Sequence, residues 1–218
     1  MFLQILALAA VTAAEPINAR TWATPNDYPT NALRKSQGGI VSFRLTIADD
    51  GKPILCEIIE ATGYKEIDLT SCALLLRRSR FEPARDAAGN ATFAVYNNSL
   101  TWWASGMKPL AQPLRYDATL TVKNLPTNLP NPTLVRLAFA VDALGHTSNC
   151  TPAMPDPPAR KGSRESKIEQ ESLDLLGEPA CKAIQTDLTL KPAMGREGKP
   201  VASVQTIRVM FLEEEGKD

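Results

Sequence analysis

The chain lacks the features that mark several large classes of protein. Among its 218 residues, 24 basic side chains balance 24 acidic ones, so there is no positive excess for binding nucleic acid or an anionic membrane surface. It has one His and no Cys-x-x-Cys motif, which leaves few metal ligands. It has no nucleophile elbow, phosphate-binding loop or metal signature. We therefore expect no catalysis, no cofactor and no metal.

The one long apolar run lies at the N-terminus. Residues 2–14 read FLQILALAAVTAA. This run is shorter than the roughly 20 residues that a helix needs to span a bilayer. Its pattern is typical of a secretory signal, with cleavage after Ala13, Ala14 or Ala19. We predict a signal peptide over 1–19 and an exported chain, with a packed N-terminal segment as the alternative.

Landmarks that recur in the same order indicate a tandem repeat. In each copy a Gly precedes a first Cys by five residues, and a second Cys precedes a Pro-Ala pair by 11 and a Gly by 17. The landmarks are Gly51, Cys56, Cys72, Pro83, Ala84 and Gly89 in the first copy, and Gly145, Cys150, Cys181, Pro192, Ala193 and Gly198 in the second. A single insertion of 15 residues in the second copy aligns them all. Since chance rarely aligns so many landmarks with one gap, we predict a duplication.

Hydrophobic periodicity gives both copies the same order of elements. Alternating apolar and polar residues predict a strand that ends at the turn before Gly51 and another that ends at the turn before Gly145. A second, antiparallel strand is expected after the turn. The predicted elements are strands 41–47 and 53–60, a helix 68–80 and a strand 91–103, then a strand 135–141, a helix 173–187 and a strand 201–211. Asn97 and Asn98 suggest a bulge in the third of these strands. Residues 116–122 are a further candidate strand, and 151–170 are expected to form a solvated loop.

These elements predict an α+β fold made of two tandem β-β-α-β domains. Each domain has an antiparallel three-stranded sheet with one helix packed on it. The predicted division is 26–105 for the first domain, 106–132 for a Pro-rich linker and 133–213 for the second domain.

The repeat also bears on the four cysteines. Pairing within each copy gives the disulfides Cys56–Cys72 and Cys150–Cys181, each of which would join a helix to the sheet beneath it. Such a bond would stabilise a small domain by about 3 kcal/mol. The alternatives are a metal site and a reactive thiol.

A further series of motifs runs through about 75 residues of the first copy. In order, they are Tyr28 and Pro29, Gly39 before the first strand, Asp50 and Gly51 at the turn, Gly63, Ile67 and Asp68, and the run Phe81, Glu82, Pro83, Ala84 and Arg85 after the helix. Together these motifs resemble the C-terminal domain of the TonB energy transducers. The second copy keeps only Gly145, the run 190–193 and Gly198, so it is interpreted as a degenerate copy.

The resemblance implies a location and a partner. Domains of that family lie in the periplasm of Gram-negative bacteria and add a strand to a segment of an outer-membrane transporter. The resemblance points to the strand 92–101 as the receptive one, so the candidate partner-strand residues are Thr92, Phe93, Ala94, Val95, Tyr96 and Trp102. Unpaired N–H and C=O groups at a sheet edge would bind the extended segment.

Several alternatives remain open at this stage. The same edge pairs either with the other copy, which would give a structural envelope protein, or with a second chain, which would give a homodimer. A full transducer of that family also has a membrane helix and a long Pro-rich spacer. In this chain only residues 15–27 lie between the apolar run and Tyr28. We therefore expect a periplasmic binding module associated with TonB-dependent outer-membrane transport. An anchored energy transducer whose chain starts further upstream is the alternative.

Overall fold

The structure, a computed structural model, describes four segments of the chain, namely 10–104, 115–155, 161–184 and 188–214. We call 10–104 the first lobe and the described residues from 115 to 214 the second lobe. Residues 1–9 of the expected signal peptide, residue 105 at the end of the expected first domain and 106–114 at the start of the expected linker lie outside the described residues. The described part is a mixed α+β fold, as the sequence predicts.

The first lobe is built on a hairpin, a helix that covers it and a long third strand. Its strands are β1 (Glu15–Pro16), β2 (Gly39–Ile47), β3 (Pro53–Glu60), β4 (Phe81–Glu82), β5 (Ala84–Arg85), β6 (Ala91–Thr92) and β7 (Ala94–Trp102). Its helices are α1 (Thr30–Arg34) and α2 (Lys65–Arg78), preceded by 3-10 turns at Ala19–Thr21 and Pro25–Asp27. The predicted hairpin is confirmed, because the alternating residues Val41, Phe43 and Leu45 are all buried.

The second lobe has the same order of long elements after one extra strand. Its strands are β8 (Ala118–Val122), β9 (Thr133–Val141), β10 (Thr147–Ala153), β11 (Ala193–Met194), β12 (Pro200–Val201) and β13 (Ser203–Glu213), and its helix is α3 (Arg164–Ile184). Strand β8 falls within the candidate strand 116–122. The expected linker 106–132 therefore contains a strand that belongs to the sheet.

Helix α3 differs from its prediction in both length and continuity. The expected loop 151–170 is wrong, because β10 extends to Ala153 and α3 already begins at Arg164. Gly177 lies where the helix passes closest to β10: a Cβ atom there would be 2.6 Å from Cγ of Pro152. Close packing of this face, together with the disulfide at Cys181, holds the helix across Pro179. A weak local helix signal is thus offset by burial.

The sheet also differs from the prediction of two separate three-stranded sheets. One seven-stranded sheet has the order β10-β9-β13-β7-β2-β3, with β8 also paired to β13. Each lobe contributes an antiparallel half, and the halves meet where β13 and β7 run parallel. The sequence did not predict this single sheet, because an unpaired strand edge can form hydrogen bonds with any extended neighbouring strand. The alternating pattern of one strand does not specify which strand pairs with it.

The two helices cover opposite faces of this sheet. Leu137 and Phe139 of β9 belong to the hydrophobic core under α3. Ala138, which lies between them, belongs to the other core, together with Leu75 of α2. Since neighbouring side chains of a strand point to opposite faces, the two cores lie on either side of the shared sheet.

Polar contacts also join the lobes. The half-buried Arg44 of β2 donates from Nη2 to the carbonyl of Lys191 at 2.6 Å and to Oε1 of Gln205 at 3.3 Å. Lys191 in turn pairs with Glu57 at 2.6 Å. Burial lowers the pKa of Arg44, and nearby Glu57 opposes that shift. The carbonyls of one lobe therefore solvate a cation of the other.

The N-terminal segment is packed against the first lobe. Val11, Ala13 and Ala14 are buried in the same core as Phe81. Thr12 exchanges two backbone hydrogen bonds with Arg85, at 3.0 and 2.9 Å, and β1 pairs with β4. Cleavage at any of the three expected positions would remove residues that are packed here, which favours the alternative of a packed N-terminal segment for residues 10–17.

The turn after β2 depends on a glycine. Gly51 has a φ of +76°, its carbonyl accepts a hydrogen bond from Phe81, and a Cβ atom there would be 2.1 Å from the carbonyl oxygen of Phe81. The turn before β10 is built the same way: Gly145 has a φ of +95° and a Cβ atom would be 2.4 Å from the carbonyl oxygen of Leu190. Neither position has room for a side chain.

Replacing Gly51 is therefore expected to lower the stability of the fold. We expect Gly51→Ala to lower the free energy of unfolding by at least about 3 kcal/mol, because it adds a backbone clash to the cost of a left-handed φ. The matched control is Gly89→Ala, where φ is +83° but nothing lies within 4 Å; it should cost only about 1–2 kcal/mol. Urea unfolding of both variants measures the difference, and equal losses would contradict the close approach.

Candidate functional site

The inner side of β7 is fully paired. β7 runs antiparallel to β2 from Ala94 opposite Ile47 to Trp102 opposite Gly39, with no shift of register. The bulge expected at Asn97 and Asn98 is therefore wrong, since both residues take regular places in the sheet. The register shifts of the first lobe occur instead between β2 and β3.

The side chains of most candidate partner-strand residues belong to the protein interior. Ala94, Val95, Tyr96 and Trp102 are buried, and the indole Nε1 of Trp102 donates to Oγ of Ser71 at 2.8 Å. Thr92 belongs to β6 and pairs with Ala84. Phe93 lies between β6 and β7. Recognition by this strand must therefore use its backbone edge.

The outer edge of β7 meets β13 at one point. Val204 pairs with Ala94, and its N–H donates to the carbonyl of Phe93 at 2.8 Å. In the described part of the chain the two strands form no further pair, and β13 pairs with β8 from Val209 onward. The alternation of a strand places the backbone groups of Asn97 and Thr206 on the two facing edges. The sheet thus opens into a cleft after a single bridge.

A cavity of about 340 Å³ fills this cleft. Its polar lining includes Asn97, Asn98, Arg115, Arg136, Thr206 and Arg208, and its apolar lining includes Phe43 and Ile59. Oδ1 of Asn97 is buried and accepts no hydrogen bond from any described residue. A buried acceptor without a donor costs roughly 1–3 kcal/mol, so a bound group with an N–H or hydroxyl would gain by donating to it.

An ion pair and a side chain that caps a backbone N–H lie beside the cavity. Arg115 pairs with Glu60 at 2.5 Å and also donates to Ser42. The Ser42 hydroxyl and then Arg115 hold the pKa of Glu60 below its usual range. Nearby, Asn98 accepts a hydrogen bond from the backbone N–H of Ser99 at 2.8 Å, so one edge group is already satisfied by a side chain.

A smaller aromatic pocket of about 210 Å³ lies at the far end of β7. Tyr28, Leu100, Trp102 and Trp103 contribute to its lining. The rings of Tyr28 and Trp102 meet edge to face with their centroids 5.3 Å apart, and Trp103 is 52% exposed. Burial raises the pKa of Tyr28, whose hydroxyl donates to the carbonyl of Gln37 at 2.6 Å. The contact with Trp102 and the hydrogen bond to Gln37 thus hold the side chain of Tyr28 in place.

The segment that leads to Tyr28 is anchored by a charged pair. Asp27 accepts two hydrogen bonds from Arg78 of α2, at 2.6 and 2.7 Å, and one from the Thr24 hydroxyl at 2.7 Å. Arg78 and then Thr24 hold the pKa of Asp27 well below its usual range. The pair joins the aromatic pocket to the helix.

The cysteines take the pairing that the repeat favours. Cys56–Cys72 joins β3 to α2 and Cys150–Cys181 joins β10 to α3, each with a Cα–Cα distance of 5.6 Å. No cluster of three or more potential metal ligands occurs among the residues that the structure describes. In the same residues no helix is long and apolar enough to cross a membrane.

Sequence reasoning missed the charged groups of the cleft. Arg115 and Asp117 lie in the expected linker, where the sequence predicted a candidate strand over 116–122 but indicated no role for either residue. Arg208 lies in a predicted strand, and its place at a polar position of the alternating pattern was the one available signal. Their meeting depends on the junction between the lobes, which no local pattern encodes.

Residues 24–102 match the model of the Gram-negative bacterial TonB protein C-terminal family. The resemblance found in the sequence is therefore confirmed for these residues, which lie in the first lobe. The family is a periplasmic, non-enzymatic domain linked to energy transduction or transport, and its members interact with outer-membrane transporters or envelope proteins. Comparisons with curated proteins and with solved structures found no significant match.

The anchor at Asp27 gives the domain a pH-dependent contribution to stability. Since the folded pKa lies below the unfolded value of 3.8, the contribution is full above that unfolded value and is lost as the pH falls below it. We expect Asp27→Asn to cost about 1–2 kcal/mol at pH 7 and to be much less destabilising near pH 2.

Urea unfolding at the two pH values measures this difference. Asp49→Asn removes an exposed carboxylate of the turn after β2 and serves as the control. A loss for Asp27→Asn that is the same at both pH values would contradict the lowered pKa.

Proposed function

We propose that the first lobe is a periplasmic peptide-binding module that accepts an extended segment of an outer-membrane transporter or another envelope protein. The segment adds as a strand to the outer edge of β7 beyond Ala94. The observation that carries this proposal is the separation of β7 from β13 after one bridge, which leaves a cavity beside the edge. Main-chain hydrogen bonds then supply affinity, and the lining supplies selectivity.

The lining favours an extended polypeptide over a compact ligand. Backbone groups of Asn97 face the cleft at the spacing of a strand, and the buried Oδ1 of that residue needs a donor. Ile59, at 55% exposure, offers an apolar contact for one side chain. The aromatic pocket near Trp103 offers a second apolar site at the far end of the same strand.

We also infer that the second lobe is a degenerate copy of the first. Gly51 and Gly145 form the same turn, with a hydrogen bond from Phe81 in one lobe and from Leu190 in the other. The short hairpins β5–β6 and β11–β12 follow at the same distance after the second cysteine of each lobe. The proposed division keeps a domain at 26–105 and another at 133–213, joined through the shared sheet.

A structural role is the second candidate, and the bridge between Ala94 and Val204 favours it. In that case each copy covers an edge of the other and no partner binds. A homodimer through the last strand would need the same stretch of β7, so it competes with the partner. The two candidates differ in one property, which is whether an extended peptide binds with its backbone.

Binding of N-methylated peptides separates the candidates. The probe is a capped ten-residue peptide from a periplasm-facing segment of an outer-membrane transporter. Two versions carry N-methyl groups at alternate residues, either odd or even. Strand addition expects one version to lose at least about tenfold in affinity while the other is little changed, since only one set of N–H groups faces β7.

Isothermal titration calorimetry provides the affinities. Equal losses for both versions would contradict strand addition and favour recognition by side chains alone. Absence of binding by the unmodified peptide and by peptides from other envelope proteins would favour the structural role.

A further inference from the structure

Strand β8 lies on the second lobe where an added strand would lie. It runs parallel to β13 and pairs with it from Ala118 opposite Val209 to Val122 opposite Glu213. The same edge of β13 begins at Val204, which pairs with β7. β8 therefore continues the outer edge of β13 beyond the cleft, where β7 no longer reaches it.

The ends of β8 are fixed by further hydrogen bonds. The N–H of Asp117 donates to the carbonyl of Arg208 at 2.7 Å, and Oδ2 of Asp117 accepts from the N–H of Arg208 at 2.7 Å. At the other end, the N–H of Glu214 donates to the carbonyl of Val122 at 2.8 Å. The contact thus uses the backbone over the whole length of the strand.

The side chains of β8 alternate between the core and solvent. Leu120 and Val122 pack against the core under α3. Thr119 and Thr121 are exposed. This edge of β13 forms hydrogen bonds with the backbone of β8 and buries every second side chain of that strand. It is therefore selective for extended segments in which apolar and polar residues alternate.

β8 differs from the other long strands in its place along the chain. Among the described strands it pairs only with β13, which follows it by about 90 residues, and its connection to β9 contains Pro126, Pro130 and Pro132. No other described strand depends on it for pairing. Its release would leave the order β10-β9-β13-β7-β2-β3 intact.

We propose that the outer edge of β13 is a strand-binding surface and that β8 is its occupant from the same chain. The edge accepts in trans an extended segment in which apolar residues alternate with threonine, as in residues 116–123 (YDATLTVK). The proposal concerns the second lobe and holds whether or not β7 binds a partner. Because β8 is tethered to the same chain at a high effective concentration, an outside segment binds this edge only in competition with β8.

Displacing β8 tests the proposal. The probe is a capped, fluorescein-labelled peptide of residues 116–123. Leu120→Asp places a charge on the buried side of β8, whereas the control Thr121→Asp places it on the exposed side. Fluorescence anisotropy is expected to show saturable binding to the Leu120→Asp protein, at least about tenfold tighter than to the wild-type or Thr121→Asp proteins.

A second peptide tests whether binding depends on the alternation of side chains, and a second variant provides another way to release β8. The peptide YDTATVLK has the same composition, with threonine and apolar residues exchanged at the positions of residues 118–121, and it is expected to bind at least about tenfold more weakly. Val122→Asp puts a carboxylate opposite Glu213 and should release β8 through repulsion if Leu120→Asp fails to fold.

Three results would overturn the proposal. The first is equal binding of the peptide to all three proteins, or to none of them. The second is equal binding of both peptides to the Leu120→Asp protein. The third is loss of the native circular dichroism and tryptophan fluorescence in both released variants, because β8 would then be an integral strand of the fold.

Discussion

The backbone N–H and C=O groups at an exposed edge of a β-sheet need hydrogen-bonding partners. The fold of this chain depends on which partners those groups find. Each lobe ends its antiparallel half of the sheet in a long strand, β7 or β13, whose outer edge needs hydrogen-bonding partners. The two edges meet at a single parallel bridge between Ala94 and Val204. Beyond it β13 is covered by β8, while β7 faces a cavity.

That junction determines the rest of the architecture. Because the equivalent strands run parallel at the centre, the helices lie on opposite faces, each over its own core, and each lobe keeps its own disulfide. Arg44 then reaches across to carbonyls of the second lobe, where a cation without such acceptors would be costly to bury. The lobes are therefore held at a fixed distance, which sets the width of the cleft available to a guest strand.

The parts that the sequence predicted are those encoded by local pattern. The alternation of Val41, Phe43 and Leu45 predicted β2, and the recurring spacing of the four cysteines led to the pairing seen in the structure. α3 was predicted poorly because Gly177 and Pro179 weaken the local signal, while the packing against Pro152 that offsets them is long-range. The single sheet and the meeting of Arg115, Arg136 and Arg208 were not predicted, since both arise from the junction between the lobes.

Hydrogen exchange at two backbone amides tests the central claim most directly. The N–H of Val204 donates to the carbonyl of Phe93 at the bridge, whereas Asn97 lies three residues past Ala94 on the edge of the cleft. We expect Val204 in the free monomer to exchange as slowly as the amides in the middle of β2, and Asn97 to exchange at least about a hundredfold faster. Equal protection of the two amides would show that the edge is closed, and rapid exchange of Val204 would show that the lobes do not share a sheet.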